Sequence, residues 1–313
     1  MREHHDVVCA IGATEAELKR LIADREALIF RSGVSITAEV MACAPGLQLL
    51  IRAGSGLDNV DIGYIRHRGL KLVRIAEPGA RAVAEFAFGL MLALARQILE
   101  ADRLLRSGHW AKHHLNGYLL QGKQLGIIGV GNIGTVAGQM GASWDMQVIG
   151  CVEHPSAARK AELADKQIRL ADLEEVLAVA DYACVFVPLK ESTRYLIGSA
   201  ELAGMKPGAF LVNMARGEVV DEVALCTALQ ARTGLAGAAL DVHKHEGDNL
   251  VSPLAGLPNV ILTPHIGAMT IDTQREIGRR IIEIISDFEK GCRHPAEASL
   301  ADLSAQSYRE NLP

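Results

Sequence analysis

The chain has 313 residues, a formal net charge of −5 and a hydrophobic content of 49%. Its length predicts two domains, each large enough to bury a core. The charged residues are spread without long runs, which excludes the basic footprint of a nucleic-acid-binding protein. Only 4% of the residues are aromatic, and the prevalence of Ala, Leu, Val, Ile and Gly favours parallel strands covered by helices.

Six cysteines are scattered along the chain without a Cys-x-x-Cys pair, so zinc and dithiol sites are not expected. We interpret them as small core residues in a reducing compartment. Met1–Asp6 is polar and does not resemble a signal peptide. The apolar run Phe86–Ala95 is about half of the roughly 20 residues that a membrane-spanning helix needs. These features predict a soluble cytoplasmic protein with no membrane partner.

The first part of the chain alternates short apolar runs with helical patterns. In chain order, the predicted elements are the strand Asp6–Cys9, the helix Glu15–Asp24 and the strands Ala27–Phe30, Leu47–Ile51 and Lys71–Ile75. Residues 82–106 then have the pattern of one helical stretch, broken only by Gly89. We interpret this stretch as the connector between two α/β domains.

From residue 125 onward, strands and helices alternate regularly. The predicted strands are Leu125–Ile128, Gln147–Val152, Tyr182–Pro188, Phe210–Met214, Ala236–Val242 and Val260–Thr263, and the predicted helices are Asn132–Ala142, Leu173–Ala180 with Asp172 as its cap, Glu222–Ala231 and Ile271–Lys290. This alternation predicts α/β domains with doubly wound parallel sheets, Rossmann-like or flavodoxin-like. We assign residues 1–78 and 268–313 to one domain and residues 79–267 to the other, with a loosely ordered polar tail from about residue 295.

The segment Gly129-Val130-Gly131-Asn132-Ile133-Gly134 has the spacing G-x-G-x-x-G between a predicted strand and a predicted helix. In that context the first glycine allows a tight turn, the second lets a pyrophosphate approach the backbone, and the third lets the helix pack on the strand. The helix N-terminus offers free N–H groups to the phosphates. The pattern predicts a dinucleotide site, and an ordinary glycine turn between strand and helix is the alternative.

An acidic residue about 20 positions after such a loop holds the ribose hydroxyls of NAD. Glu153 follows the next strand at about that distance, and its charge would repel the additional phosphate of NADP. We therefore expect NAD as the cofactor. Arg159 and Lys160 lie nearby and keep NADP open, and a solvated Glu153 without a ligand is the simpler alternative.

Three polar residues, Arg216, Glu246 and His265, follow predicted strand ends, where ligands bind in parallel sheets. Hydride transfer to a carbonyl needs a cation that anchors an acid substrate, a general acid for the forming alkoxide, and a carboxylate that favours the charged imidazole. Arg216, His265 and Glu246 fit these roles in that order, although each alone is more commonly a surface or loop residue. The segment 243–246, His-Lys-His-Glu, is a poor metal motif, and no metal is expected.

Five segments together resemble motifs of the D-2-hydroxyacid dehydrogenases, in the order in which that family carries them. They are the substrate-loop segment Arg52–Asp61, the dinucleotide loop Gly129–Gly134, the arginine segment Asn213–Glu222, Leu240–Glu246 and Thr263–Ala268. Arg31 and the stretch 96–126 are most similar to the phosphoglycerate-dehydrogenase-like branch. The resemblance implies two doubly wound domains with an active-site cleft between them.

The resemblance also implies roles for individual residues. His265 would be the acid–base catalyst, Glu246 its partner, and Arg216 the anchor of a small 2-hydroxy or 2-oxo acid. The substrate-binding residues would be Arg31, Arg52, Gly54, Ser55 and Gly56, with the two arginines near a distal anionic group. The cofactor-binding residues would be Ser55, Gly129, Gly131, Asn132, Ile133, Gly134, Val152, Glu153, Val187, Pro188, Thr193, Met214, Ala215, Arg216, Asp241, His265, Gly267 and Ala268. A homodimer formed through the connector helix is implied as well.

The chain departs from the family pattern in several places. The family's cofactor-binding acid aligns with Val152, one position before Glu153. Gly247 replaces the proline that usually follows the catalytic glutamate. The loop Glu77–Glu85 is two residues shorter than usual, with Arg81 where a polar amide is common. The chain also begins at the family's second strand, so the first βα unit of the substrate domain is expected to be missing.

Two other functions stay open at this point. A dehydrogenase-like protein that senses NAD(H) as a corepressor would keep the same residues without significant turnover. An enzyme that oxidises formate or phosphite would use a similar fold. Formate enzymes that resemble this family carry Gln beside the histidine, so Glu246 disfavours that activity.

Overall fold

A computed structural model of the chain describes residues 4–31, 33–54, 56–231 and 234–291. Its strands are β1 (Ala27–Phe30), β2 (Leu49–Arg52), β3 (Lys71–Arg74), β4 (Gln124–Ile128), β5 (Gln147–Cys151), β6 (Ile168–Leu170), β7 (Tyr182–Val185), β8 (Phe210–Asn213), β9 (Gly237–Leu240) and β10 (Val260–Leu262). Its helices are α1 (Glu15–Ile22), α2 (Ala38–Ala42), α3 (Ile62–Arg68), α4 (Glu77–Ala95), α5 (Ile98–Arg106), α6 (Asn132–Ser143), α7 (Ala157–Asp165), α8 (Leu173–Val179), α9 (Ser199–Gly204), α10 (Glu222–Gln230) and α11 (Ile271–Glu289).

These elements divide into two compact units. One consists of Met1–Gly79 and Ile271–Pro313, and the other of Ala80–Thr270. The chain therefore leaves the first unit, builds the second, and returns to the first with α11. The domain limits predicted from the sequence lie within three residues of these limits, and the function assigned to each domain stays a prediction.

The larger unit contains a seven-stranded sheet in the order β10-β9-β8-β7-β4-β5-β6, and every pair of neighbouring strands is parallel. The chain runs outward from the sheet centre in both directions, so the order reverses between β4 and β7. Such a switch point leaves a ligand crevice outside the carboxyl ends of the two strands. The predicted doubly wound parallel sheet is confirmed.

Small residues on α6 let this helix lie close to the sheet. A Cβ atom on Gly138 would be 2.4 Å from Ile168 Cδ1, and one on Gly141 would be 2.6 Å from Leu125 Cδ2. The caps follow the sequence as well: the Asp172 side chain accepts the N–H of Glu175 at the start of α8, as predicted. Helix and strand therefore pack closely behind the glycine loop.

The smaller unit has a three-stranded parallel sheet in the order β1-β2-β3. One core of this unit includes Ile22, Leu50 and Leu72. A second core joins Ile51 of β2 to Ile277 of α11. The amphipathic pattern of α11 is explained by this packing, which makes the unit discontinuous in sequence.

Three predictions about elements are wrong, and one strand was not predicted. Residues 6–9, all of which the structure describes, form no strand, and Val8 is 45% exposed. Strand β6 was not predicted. The stretch 82–106 is two helices rather than one, since Gln97 takes a left-handed conformation (φ 50°) and α4 and α5 meet there instead of breaking at Gly89. The expected loop Glu77–Glu85 is in fact the first part of α4.

The cysteines are less buried than predicted. Of the five described cysteines, Cys184 alone is buried, and Cys9 and Cys43 are exposed. Burial raises the pKa of the Cys184 thiol to about 12. Cys292 lies outside the described residues, as does the polar tail from residue 295.

Helix α4 is longer than the ten-residue apolar run in the sequence suggests. Among the described helices it alone has the length and mean hydropathy, 1.3, that could cross a membrane. Of the window that meets this test, 56% is buried inside the protein. Ala84, Ala87 and Met91 belong to the core that also includes Leu125 and Tyr182 of the sheet, a packing typical of a core helix.

Candidate functional site

His265 and Glu246 contact each other directly. Nδ1 of His265 lies 3.0 and 3.1 Å from the two carboxylate oxygens of Glu246. Burial raises the pKa of the Glu246 carboxyl, but the hydrogen bond and charge of His265 outweigh burial and hold that pKa below its ordinary value. With an ionised Glu246 accepting from Nδ1, Nε2 is the nitrogen that exchanges a proton with a ligand.

The backbone of His265 takes an unusual conformation. Its φ is 55°, in the left-handed region that residues other than glycine rarely adopt. Its N–H donates to Asp241 O at 2.7 Å and to Thr263 O at 3.0 Å. A left-handed residue costs about 1–2 kcal/mol, and such strain concentrates at functional sites.

Asp241 fixes the loop that carries His265. It is 2% exposed, and its carboxylate accepts from Thr263 Oγ1 at 2.7 Å, Ile266 N at 2.9 Å and Gly267 N at 2.7 Å. These hydrogen bonds fix the backbone on both sides of His265, at Thr263 before it and at Ile266 and Gly267 after it. The predicted contact of Asp241 with a cofactor would have to share an oxygen that already accepts a hydrogen bond.

Arg216 lies in a turn bracketed by a buried amide. Asn213, fully buried at the end of β8, donates from Nδ2 to Arg216 O at 3.1 Å and accepts the N–H of Ala215 at 3.1 Å. The Arg216 guanidinium itself donates to Ala215 O at 2.8 Å. The turn that presents the arginine is therefore fixed from inside the sheet.

Gly217 brings this turn against the segment that carries Glu246. A Cβ atom on Gly217 would lie 1.9 Å from the carbonyl carbon of His243 and 2.3 Å from Lys244 N. The backbones of the Arg216 turn and the Glu246 segment are thus in van der Waals contact. Glu246 and His265 line an open groove of about 540 Å³, together with Glu222 and Thr263.

The three glycines of the dinucleotide loop have three different surroundings. Gly129 has φ 97°, and a Cβ atom there would lie 2.7 Å from Val187 Cγ1, so the loops after β4 and β7 meet. A Cβ atom on Gly134 would be 2.4 Å from Gly129 O, which fits close helix packing. A Cβ atom on Gly131 would meet nothing within 4 Å. This open space, beside the exposed Asn132 at the α6 N-terminus, is the room that a pyrophosphate needs.

Other predicted cofactor residues lie around the same crevice. Thr193 Oγ1 donates to Pro188 O at 2.6 Å and closes the loop after β7. A Cβ atom on Gly267 would lie 2.7 Å from Met214 Cε, so the ends of the β8 and β10 loops are neighbours. Ile133 is half-buried in the first turn of α6, Ala215 is buried in the Arg216 turn, and Ala268 O accepts the N–H of Thr270 at 3.1 Å.

Arg159, which kept NADP open, is engaged with the glycine loop. Its Nη2 donates to Val130 O at 2.9 Å and to Thr135 Oγ1 at 2.8 Å, and Nη1 donates to Glu162 at 2.6 Å. Val152 is half-buried after β5, whereas Glu153 is exposed. Of the two residues at that strand end, Glu153 alone carries a charge, and its carboxylate is exposed.

The predicted substrate residues lie in the smaller unit, and the structure does not bring all of them together. Arg52 is 3% exposed, its Nε donates to Gly56 O at 2.7 Å, and its guanidinium lies 3.3 Å from the position of a Cβ atom on Gly54. Arg31 instead donates to Gln274 of α11 at 2.8 Å. The buried Arg52 side chain therefore contacts both Gly54 and Gly56 and supports their loop. Ser55 lies outside the described residues.

Residues 88–267 match the family model of the D-isomer specific 2-hydroxyacid dehydrogenase, NAD binding domain. The chain belongs to this family. The larger unit, which contains the dinucleotide crevice, therefore corresponds to the NAD binding domain of the family. The loop after β10 carries His265 at the carboxyl edge of the sheet of this unit.

Relatives and solved structures agree with this dehydrogenase family. The chain is 35% identical over 308 residues to D-3-phosphoglycerate dehydrogenase from Archaeoglobus fulgidus, covering 98% of this chain and 58% of the relative. It is 37% identical over 271 residues to hydroxypyruvate reductase from Thermotoga maritima, 86% of each chain. The structure of D-lactate dehydrogenase from Aquifex aeolicus with NAD and lactic acid superposes with a TM-score of 0.78 at 26% identity, covering 87% of this chain and 85% of that one. The chain spans about half the length, 46–58%, of the phosphoglycerate dehydrogenases reported among its relatives.

The Gly131 position tests the dinucleotide crevice directly. We expect Gly131→Ala to leave the thermal unfolding temperature unchanged, because the added Cβ meets only open space. The same Cβ would occupy the room needed by the pyrophosphate, so the Kd for NADH should rise roughly tenfold or more, about 1.4 kcal/mol. Fluorescence titration with NADH measures this. Gly204→Ala, also in open space but on α9, is the control, and equal NADH affinity in both variants would contradict the assignment.

From the sequence, Asn213 and Thr263 were named only as parts of motifs or strands and Arg159 only as a charge near Glu153, and their contacts in this site were not predicted. Their roles depend on burial and on partners from other elements, such as Thr135 for Arg159. The apolar strand before Asn213 was the one available signal, because an amide that ends a buried strand must satisfy its hydrogen bonds locally.

Proposed function

We propose that the protein transfers a hydride between NAD(H) and a small D-2-hydroxy acid or its 2-oxo acid. The contact between His265 and Glu246 carries this proposal, since it places a general acid–base pair in the same unit as the dinucleotide loop. The dehydrogenases among the relatives support an oxidoreductase that acts on an alcohol carbon.

The chain's own residues account for binding and proton transfer. When bound, NADH supplies the hydride that reaches the carbonyl carbon of the substrate. His265 then donates the Nε2 proton to the carbonyl oxygen, and ionised Glu246 stabilises the imidazolium form from which that proton leaves. Arg216 holds the substrate carboxylate with a charge-assisted hydrogen bond. In the reverse direction, neutral His265 would accept the hydroxyl proton at Nε2, and oxidised NAD, when bound, would supply the acceptor for the hydride.

The substrate carboxylate is assigned to the glycine-rich loop around Gly54 as well. Backbone N–H groups of such loops form anion-binding nests, and buried Arg52 adds positive charge beneath the loop. Both Arg31 and Arg52 are proposed to lie near a distal anionic group of the substrate; Arg31 also donates to Gln274, and Arg52 also donates to Gly56 O. We therefore include phosphorylated 3-carbon acids in the proposed substrate class.

A panel of 2-oxo acids, followed by NADH absorbance, tests this function. The panel contains glyoxylate, pyruvate, hydroxypyruvate and 3-phosphohydroxypyruvate, each with wild type and Arg31→Ala. If Arg31 binds a distal anion, its loss raises KM for the phosphorylated acid more than for pyruvate. Turnover of at least one acid supports the dehydrogenase. Tight NADH binding with no turnover of any acid would overturn it in favour of the NAD(H)-sensing alternative.

Glu153 is proposed to favour NAD over NADP. Its exposed carboxylate follows β5, where it would repel a ribose 2′-phosphate. We expect Glu153→Ala to lower the ratio of kcat/KM for NADH to that for NADPH, with a smaller loss of total activity. The ratio is measured at a fixed 2-oxo acid concentration, with Glu174→Ala on α8 as the control. A wild type that prefers NADPH would assign cofactor choice to Arg159 or Lys160 instead.

A second copy of this chain is the proposed macromolecular partner, in a cytoplasmic homodimer. Helix α5 has no buried residue among its described positions, and the apolar side chains of Ile98, Leu105 and Trp110 are 51%, 58% and 76% exposed. Sedimentation of the wild type and of Leu105→Glu measures the effect, and we expect the variant to shift toward the monomer. A monomeric wild type would contradict the dimer.

A further inference from the structure

The segment that carries Glu246, residues 243–252, is held to the fold mainly by hydrogen bonds. Its side chains from Lys244 to Leu250 are exposed, and Val251 is 82% exposed. Gly247, with φ 144°, adds backbone freedom immediately after Glu246. Apolar packing therefore does little to fix the place of the Glu246 carboxylate.

Glu222 supplies two of those hydrogen bonds from a buried position. This first residue of α10 is 7% exposed. Its carboxylate accepts Lys244 N at 2.7 Å and Ser252 Oγ at 3.3 Å, one near each end of the segment. Ser252 Oγ in turn accepts the N–H of Leu254 at 3.2 Å.

A buried carboxylate is costly unless its oxygens are hydrogen-bonded. Both described partners of Glu222 are uncharged groups of the 243–252 segment, so the carboxylate is not explained by a neighbouring cation. Its place in the first turn of α10 favours a negative charge there through the helix dipole. The Glu222 carboxylate is thus held against the segment by hydrogen bonds, and Gly217 packs against the same backbone at His243 and Lys244.

We propose that Glu222 is a positioning residue for the catalytic pair. By holding Lys244 and Ser252, it keeps Glu246 at the place where its carboxylate meets His265 Nδ1. This inference rests on the proposed function for its kinetic consequence, although the geometry itself does not depend on the substrate.

A double-mutant cycle tests the proposal with the best 2-oxo acid of the panel. We expect Glu222→Ala to lower kcat roughly tenfold, since effects of this size follow small displacements of catalytic groups. Glu222→Gln should retain most of kcat, because an amide oxygen still accepts Lys244 N–H. If Glu222 acts through Glu246, Glu222→Ala combined with Glu246→Gln is no slower than Glu246→Gln alone. Multiplying effects would overturn the proposal.

A second readout is independent of turnover. The ring resonances of His265, assigned by comparison with His265→Gln, are titrated with pH by NMR. The ionisable groups that contact the described His265 loop are Glu246, His243 and Asp241. We expect Glu222→Ala to move the His265 titration midpoint toward that of Glu246→Gln, with Glu174→Ala as the control for a lost charge in a first helical turn.

These outcomes separate the two proposals. An unchanged His265 midpoint in Glu222→Ala overturns the positioning role, whether or not the enzyme turns over any acid. A shifted midpoint without turnover supports positioning and overturns the proposed function. If Glu222→Ala fails to fold, Ser252→Ala removes one of the two anchors and is expected to produce a smaller shift in the same direction.

Discussion

Replacement of His265 by glutamine is expected to lower kcat for 2-oxo acid reduction by about 10²–10⁴, the usual contribution of general acid–base catalysis. Glutamine can keep a hydrogen bond to Glu246, but it has no group that donates and regains a proton near neutral pH. The Kd for NADH should change little, because the dinucleotide crevice at Gly129–Gly134 is formed by other loops. Stopped-flow reduction and NADH titration measure the two quantities.

The control for His265 is His67→Gln, which removes an exposed imidazole from α3. Wild-type turnover in His265→Gln would contradict the assignment of the proton donor. A parallel loss of NADH affinity would indicate that the left-handed backbone at residue 265 had collapsed, and Glu246→Gln then tests the pair without altering that backbone.

The second large effect is expected at Gly217. Any side chain there meets backbone atoms, since a Cβ atom would lie 1.9 and 2.1 Å from the carbonyl carbon and oxygen of His243. Backbone cannot turn away as a flexible side chain can, so Gly217→Ala must displace the Arg216 turn or the Glu246 segment. We expect a loss of about 3 kcal/mol in the free energy of unfolding, at the upper end for overpacking.

That loss corresponds to a decrease in Tm of roughly 6–12 °C for a unit of this size. We also expect kcat to fall, because the two displaced segments carry Arg216 and Glu246, which are proposed to act in catalysis. Thermal unfolding and steady-state kinetics are compared with Gly204→Ala, whose added Cβ meets nothing within 4 Å. A Gly217→Ala variant with unchanged Tm and kcat would show that the two backbones are not in firm contact.

The sheet of the larger unit was predictable because its central strands are buried on both faces. Tyr182–Val185 and Phe210–Asn213 are fully buried, so they appear as continuous apolar runs. The edge strand β6 has only three residues, with Arg169 exposed, and gives no such signal. Gln97 is left-handed (φ 50°) although glutamine has no preference for that conformation, so residue type alone does not mark this break between α4 and α5.

The candidate site divides in the same way. Motif spacing predicted Arg216, Glu246 and His265, since residues at strand ends share one edge of a parallel sheet. The pairing distance between Glu246 and His265 and the burial of Glu222 could not be predicted, because Glu222 and Ser252 are 30 residues apart in sequence. Arg52 was predicted as a substrate contact, which stays a prediction; the structure shows it buried and hydrogen-bonded to Gly56 O.

The return of α11 to the smaller unit has a consequence for synthesis on the ribosome. Ile51 and Val73 have been synthesised by the time the ribosome reaches residue 79. Ile277 and Ile284 of α11, which pack against them, are translated only after residues 80–270. At about 5–20 residues per second, that face of the nascent sheet waits roughly 10–40 s for its helix. The larger unit is complete in sequence before this happens. The smaller unit can therefore form its core around Ile22 and Leu50 early, but it completes its second core, against α11, only after the larger unit has been synthesised. Until then the second apolar face of its sheet is uncovered, and we expect a chaperone to bind the growing chain there.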